Sequence, residues 1–450
     1  MQRRHFLQLL AATGLVGHLP LTSRTASAAE LDRFLVVVNA AGGWDPTSLC
    51  DPKGLNRAYQ ENSDRHEGST NSVAIDPAKR YGDIRWSAIP DSVSNDVTVR
   101  NRINDQFDRF FTRYGDRLRV INGIDTGTNN HDTGNRVVWS GQLDEGYPSL
   151  AALFAAASGP QLPMAYISNG GYDFTDSLVA RARASSAGFV NQIADPNHYH
   201  DDKGFLYRSH NRSVDHYAMV ATAQQQRLQR QQQQAALPLT RRQLGQLFTV
   251  RSSDNNLEQL TVHLDDIRAN VNRDQNWHQN RANSLKSQAE VVVAAFRSQL
   301  AASANLSTGG FDTHGNHDGA AYPRLGDLLE GVHFLMQALE FAGLADRTTV
   351  VVGSDFGRTP YYNSGNGKDH WPVTSMLVLD SRLNGGQVFG ETSSDFRSLA
   401  LNPRSGRADS GGRILTPAHV NAALRDFIGI GDHAQLNPYP LTHDGFRLFS

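Results

Sequence analysis

The chain has 450 residues, with Lys+Arg 43 against Asp+Glu 45 and a formal net charge of -2. That balance excludes a generic polyanion binder, which needs a basic surface to release counterions. One cysteine, Cys50, excludes an intrachain disulfide and any zinc site built on two thiolates, so the 17 histidines and the carboxylates are left as metal ligands.

Met1 to Leu7 reads Met-Gln-Arg-Arg-His-Phe-Leu, with the pair Arg3-Arg4 ahead of Phe6 and Leu7. A modestly apolar stretch follows from Leu9 to Leu21, interrupted by Gly14, Gly17 and Pro20, and then Ala26-Ser27-Ala28. A basic start, a short apolar segment and small residues at a cleavage site predict a signal peptide over 1–28 rather than a spanning helix. The arginine pair points to the twin-arginine route, hence to a periplasmic or secreted protein. Beyond this segment no apolar run reaches the roughly 18 residues that a membrane helix needs, so the mature chain is expected to lack one.

Arg33 to Val38 is an apolar, β-branched run that suits a strand buried on both faces. It ends at Ala41-Gly42-Gly43-Trp44-Asp45-Pro46, a glycine-rich turn. Residues 51–98 read as an irregular excursion. Ile103, Phe107, Phe110 and Phe111 predict a helix over Arg102–Tyr114, and Leu118–Ile121 a strand. A polar loop over Gly123–Gly134 follows, then a helix opened by Tyr147-Pro148-Ser149 and a strand over Met164–Ile167. Residues 205–300 change character. A glutamine-rich tract, Gln224–Gln234, and a polar stretch from Val262 to Ala302 both favour helix. The alternation then resumes: a helix over Tyr322–Phe341, strands at Thr348–Gly353 and Met376–Leu379, and a helix from Thr416-Pro417 to Phe427. Strands alternating with helices predict an α/β fold, a mostly parallel sheet covered on both faces. The expected organisation is a signal peptide over 1–28, a first part of the α/β domain over 29–204, a helical Gln-rich insertion over 205–300, and a second part over 301–450.

In open α/β sheets ligands bind beyond the carboxyl ends of strands. Asp45 follows the first strand, His131 and Asp132 lie in the loop after the second, and Asp355 follows Val350–Val352. The runs Phe311-Asp312-Thr313-His314-Gly315-Asn316-His317-Asp318 and Gly367-Lys368-Asp369-His370-Trp371 border the helix at Tyr322 and the strand at Met376. Carboxylates and imidazoles from such separated segments can converge on one metal. Mixed Asp/His ligation suits zinc, manganese or iron better than calcium. Plainer readings stand beside these: Asp45 starting a turn, Asp312 and His314 capping the next helix, Asp355 paired with Arg358, His370 packed beside Trp371. Three tempting motifs fail on context. The Asp355-Phe356-Gly357 of kinases lacks its glycine-rich loop, Gly365-Asn366-Gly367 lacks the opening strand of a dinucleotide fingerprint, and Gly54 replaces the arginine of a sulfatase C-x-P-x-R at Cys50.

Arg3-Arg4-His5-Phe6-Leu7, Gly42-Gly43-Trp44-Asp45, Phe311-Asp312-Thr313-His314, Ser354-Asp355-Phe356-Gly357-Arg358-Thr359-Pro360 and Asp369-His370-Trp371 occur in that order. Together they resemble the twin-arginine-exported domain of unknown function family 1501, of the alkaline phosphatase and sulfatase superfamily. The resemblance implies an α/β/α sandwich with a mostly parallel central sheet, a helical insertion, and a metal site at the strand ends. It implies metal ligands at Asp45, Asp312, His314 or His317, Asp355 and His370, with Phe356 where a further histidine usually stands. It also implies a nucleophile in the loop after the second strand. There Asn130 precedes His131, with Thr126, Thr128 and Thr133 nearby. Thr128, His131 and Arg358, the last as an oxyanion binder, are the catalytic candidates. The expected cofactor is a divalent metal, zinc first, then manganese, iron or calcium. Two functions follow: an exported metal-dependent hydrolase of small or polymeric phosphate or sulfate esters, or a non-catalytic periplasmic binding or scaffold protein that engages a protein partner. Neither involves nucleic acid.

Overall fold

A computed structural model describes residues 31–54, 74–184, 198–200, 206–208, 214–251, 257–271 and 282–449. The signal-peptide segment 1–28 lies outside the described residues. Among the described residues no helix is long and apolar enough to cross a membrane.

The buried run at the start forms β1 (Phe34–Ala41). Helix α1 (Val97–Tyr114) follows, started by Asp96 accepting from the Thr98 amide, and buries Ile103, Phe107, Phe110 and Phe111 on one face. Then come β2 (Leu118–Asp125), α2 (His131–Ser140), α3 (Leu150–Ser158), β3 (Tyr166–Ser168) and the short edge strand β4 (Arg181–Ala182). The glutamine-rich tract is helical, within α4 (Val214–Gln234), which pairs with α5 (Pro238–Arg251). Helices α6 (Leu257–Asn270) and α7 (Ala282–Arg297) pack on each other. Then follow β5 (Ser303–Gly309), α8 (His317–Phe341), β6 (Thr348–Ser354), β7 (Val373–Leu379), β8 (Gln387–Phe389) and α9 (Pro417–Phe427). Thr416 and His419 form a capping box at the start of α9, with Pro417 in its first turn.

The sheet order is β8-β2-β7-β6-β1-β5-β3-β4. β1 is parallel to both β6 and β5, with Val37 opposite Val351 and Asn305. Only β7 runs against its neighbours β6 and β2. Both faces are covered, and β1 shows it by alternation. On one face Phe34 stacks on Phe296 of α7, centroids 4.7 Å apart. On the other, Asn39 accepts a 2.8 Å hydrogen bond from the indole of Trp139 in α2. The result is the expected α/β/α sandwich with a mostly parallel sheet. Helices α1, α7 and α8 form one layer and α2, α3 and α9 the other.

Two elements depart from the sequence reading. The helical stretch expected from Val262 to Ala302 divides into α6 and α7, and the chain then enters β5. Residues 303–309 read Ser-Ala-Asn-Leu-Ser-Thr-Gly, without the β-branched run that marks β1 and β6. Tertiary context makes this a central strand: Ser303 Oγ donates to the Ala151 carbonyl of α3, while Ala304 and Leu306 are buried. Helix α7 also lies on the sheet, with Val291–Phe296 buried, so the apolar layer begins well before residue 300.

Candidate metal centre

The site forms where β1, β2, β5 and β6 end and β7 begins. After β1 the chain turns through Gly42 and Gly43, both at positive φ (+117° and +70°). A Cβ on Gly42 would sit 2.6 Å from the Asp312 nitrogen, and one on Gly43 would sit 2.5 Å from the Phe356 ring. Only glycine lets this turn pass so close to both. The two glycine amides donate to Asp355 Oδ1 at 3.0 and 2.6 Å. Asp355 is fully buried at the end of β6, and its other oxygen lies 2.5 Å from His131 Nδ1. His131 opens α2, whose N-cap Asn130 accepts from the Asp132 and Thr133 amides, a cap worth about 1 kcal/mol.

His131, Asp312 and His370 each present one ligand atom, all within 4.8 Å of one another. His314 joins them: its Nε2 is 3.0 Å from Asp312 Oδ1 and 3.0 Å from His370 Nε2. His370 Nε2 is 3.3 Å and His131 Nε2 3.6 Å from Asp312 oxygens. These four side chains are a quarter to a half exposed, so the cluster faces solvent. Beneath it Phe356, fully buried, packs on His131 and His370 at 4.7 and 4.6 Å.

Each imidazole has an oxygen behind its Nδ1. Nδ1 of His131 faces the Asp355 carboxylate, Nδ1 of His314 faces Asp369 Oδ1 at 2.9 Å, and Nδ1 of His370 faces the Asn129 carbonyl at 2.7 Å. These acceptors suit the tautomer with the hydrogen on Nδ1, which turns the Nε2 lone pair inward as a metal ligand must. In that tautomer three lone pairs and a carboxylate converge beside Arg358, and a cation between them would offset their mutual repulsion. Carboxylate and carbonyl partners behind inward-facing imidazoles are the usual outer support of a metal site. A tetrahedral ion with bonds of about 2.0–2.1 Å would have ligand–ligand edges of roughly 3.3 Å. The four contacts above bracket that value. The residues therefore fit a divalent metal ion.

Arg358 is fully buried. Its Nε donates to the Gly43 carbonyl at 2.8 Å, one terminal nitrogen to the Lys368 carbonyl at 3.1 Å, and the other to the Gly42 carbonyl and, at 2.6 Å, to Asp312 Oδ1. With all three nitrogens engaged inside the protein, the guanidinium is not turned to an incoming oxyanion, the role expected from sequence. It ties the glycine turn to Asp312. Burial opposes ionisation of Asp312, but the Arg358 hydrogen bond and charge hold its carboxyl below the usual range.

Asp45 and His317 stand apart from this cluster. Asp45 Oδ1 accepts from the Thr47 amide at 2.9 Å and hydroxyl at 2.7 Å. Its Oδ2 accepts from Ser48 Oγ at 2.7 Å and Lys368 Nζ at 2.6 Å, and lies 3.1 Å from His317 Nε2. All these side chains are buried. His317 Nδ1 faces the Thr313 hydroxyl at 2.7 Å. Here Nε2 faces the Asp45 carboxylate and Nδ1 a hydroxyl, whereas the three exposed histidines have their outer oxygen at Nδ1. Burial opposes the Asp45 charge, yet Lys368 and His317 hold its carboxyl far below the ordinary range. The sequence candidates thus divide: Asp312, His314, His370 and His131 converge, Asp355 supports them from behind, and Asp45 and His317 form a separate buried group. Thr128 Oγ1 accepts from the Asn130 amide at 3.2 Å in the loop before α2, and no contact places it in the cluster.

Lys368, Asp369 and Asn129 received no role from sequence. Lys368 and Asp369 adjoin His370 in the quoted run, which is the signal that could have marked them. The Asn129 contact goes through a backbone carbonyl, which no side-chain pattern records.

No curated protein matches the sequence significantly. Among solved structures, the lipoteichoic acid synthase LtaP from Listeria monocytogenes is similar at TM-score 0.36 and 9% identity, over 94% of this chain and 77% of that one. BT1596, a 2-O GAG sulfatase, is similar at TM-score 0.31 and 10% identity, over 91% and 73%. A mutant TAB5 alkaline phosphatase with Mg bound in its M3 site is similar at TM-score 0.31 and 11% identity, over 78% and 93%. One family model, described as protein of unknown function DUF1501, matches residues 32–406, and the chain belongs to that family.

Proposed function

We propose that this is an exported, metal-dependent, hydrolase-like protein whose centre takes one divalent ion at His131, Asp312, His314 and His370 and acts on phosphate or sulfate esters. The observation that carries the metal reading is the convergence of three Nε2 atoms on Asp312, each ring backed at Nδ1 by an oxygen. Zinc is the ion these ligands suit best, followed by manganese and iron. Such an ion would supply Lewis-acid polarisation of an ester oxygen. Around it the chain's own residues have defined tasks. Asp355, Asp369 and the Asn129 carbonyl hold the imidazoles, Arg358 orients Asp312, and Phe356 excludes water beneath the rings. Export is supported by Arg3-Arg4 and Ala26-Ser27-Ala28.

One observation favours the alternative, a metal-bearing periplasmic binding protein without turnover. The position ahead of His131 is Asn130, whose side chain caps α2 and cannot act as a nucleophile. The two readings separate on a panel of aryl phosphate and aryl sulfate esters offered to zinc-, manganese- and iron-loaded protein. Turnover that disappears in His131→Ala supports the hydrolase. Stoichiometric metal without turnover on any ester supports the binding protein.

A further inference from the structure

We infer that Lys368 is a protein-supplied cation standing where a second metal ion would otherwise be drawn to Asp45, so that the centre is mononuclear. The inference rests on the metal reading above. Asp45 lies in the turn that follows β1, beside Gly43, whose carbonyl is held by the same arginine that grips Asp312. A carboxylate in the strand-end turn that borders the centre is a candidate to recruit a further ion. Yet five protein groups surround its two oxygens: the Thr47 amide and hydroxyl, Ser48 Oγ, Lys368 Nζ and His317 Nε2. Of these only the Lys368 ammonium supplies the positive charge that a metal ion would bring, whereas the two hydroxyls can turn away and the imidazole can itself ligate.

The ammonium is also built in rather than incidental. Lys368 is fully buried and its Nζ additionally donates to Thr47 Oγ1 at 3.1 Å. Its ring neighbour is Tyr362, 5.0 Å to the centroid. Its backbone is pinned at both ends, the amide donating to the Thr313 carbonyl and the carbonyl accepting from Arg358. Lys368 immediately precedes Asp369 and His370, and Thr313 lies between Asp312 and His314. The salt bridge fastens the β1 turn to the segment of His370, and the Lys368 amide fastens that segment to the one that carries Asp312 and His314; His131 lies on a third. Lys368 is a positioning residue: it neutralises Asp45 and sets these segments, and it does not reach the metal.

The test is metal stoichiometry of the purified full chain, stripped with chelator, dialysed to equilibrium against zinc and measured by elemental analysis, with circular dichroism to establish folding. The wild type is expected to hold one equivalent. Two equivalents would overturn the inference and leave the metal site standing; none would remove the metal reading itself, and the inference with it. In the double variant Asp45→Leu/Lys368→Met both buried charges vanish together, and one equivalent is expected to remain. Its loss from a folded double variant would show that the ion depends on this buried pair and overturn the inference. Lys368→Met alone leaves Asp45 and His317 facing each other without their cation, and uptake of a second equivalent is expected. A folded Lys368→Met protein that holds only one overturns the claim that the ammonium excludes the second ion. If that variant does not fold, the wild type and the double variant decide.

Discussion

Asp355 and His131 come from chain segments 224 residues apart and meet at 2.5 Å, the buried carboxylate of β6 holding Nδ1 of the first residue of α2. Gly134, one turn into α2, allows this approach: a Cβ there would lie 2.5 Å from the Asp355 carbonyl oxygen. The contact fixes which nitrogen of His131 faces Asp312, so it governs the ring's capacity as a ligand.

Asp355→Asn is therefore expected to lower zinc affinity by about 10–100-fold while one equivalent still binds at saturation. Chelator competition on the wild type and the variant checks this. Unchanged affinity would mean that His131 does not ligate.

Metal binding to the folded chain should stabilise it by mass action. At free zinc about 100 times Kd the gain is about 2.7 kcal/mol, visible as a rise in Tm with zinc concentration. Asp312→Ala and His370→Ala should each abolish the rise. A wild type indifferent to zinc would contradict the site.

The buried pair gives a thermodynamic cycle. Lys368→Met without added metal strands the Asp45 charge and is expected to cost about 3–5 kcal/mol, whereas Asp45→Leu/Lys368→Met, which removes both charges, should stand much nearer the wild type. Urea unfolding of the wild type, Lys368→Met, Asp45→Leu and the double variant measures it. Additive losses would mean that the two residues are not coupled.

His317 makes stability pH-dependent. Burial leads in pushing its pKa below the ordinary value, and nearby Lys368 adds to it, although Asp45 pulls the other way. Between that lowered value and about 6.5 the unfolded imidazole is protonated and the folded one is not. The unfolded state then binds more protons, so stability falls as pH drops below about 6.5. Asp45 acts in a different window. Its depressed pKa gives stability present above about 3.9 and lost only as pH falls through its folded value, so the pair with Lys368 survives mild acid. His317→Gln should flatten the loss of stability between pH 7.5 and 5.5, with a residual slope from His419, also lowered by burial. Chemical unfolding in the presence of chelator at both pH values gives the comparison.

Much of the architecture was legible because it rests on local pattern. The apolar runs of β1 and β6 need two covered faces, and the Thr416-Pro417 start of α9 is written in the residues themselves. β5 was not legible, because Ser303, Asn305 and Ser307 carry no strand signature and are held by partners on other elements. The reversal of β7 is likewise a matter of neighbours, since Val373–Leu379 would read the same in either direction. At the site, the residue types and their places at strand ends could be read. Their division could not. Asp45 and Asp312 look alike in sequence, and only the fold brings Lys368 to one and three imidazoles to the other. Arg358 invites an oxyanion role until its nitrogens are seen to be engaged by Gly42, Gly43, Lys368 and Asp312.

The central claim is that three imidazoles and one carboxylate hold a single ion. X-ray absorption on the chain loaded with one equivalent of zinc tests it most directly. A first shell of three imidazole nitrogens with carboxylate oxygen, reduced to two imidazoles in His314→Ala, is the predicted result. A shell of oxygens alone, or one unchanged by removing His314, would contradict it.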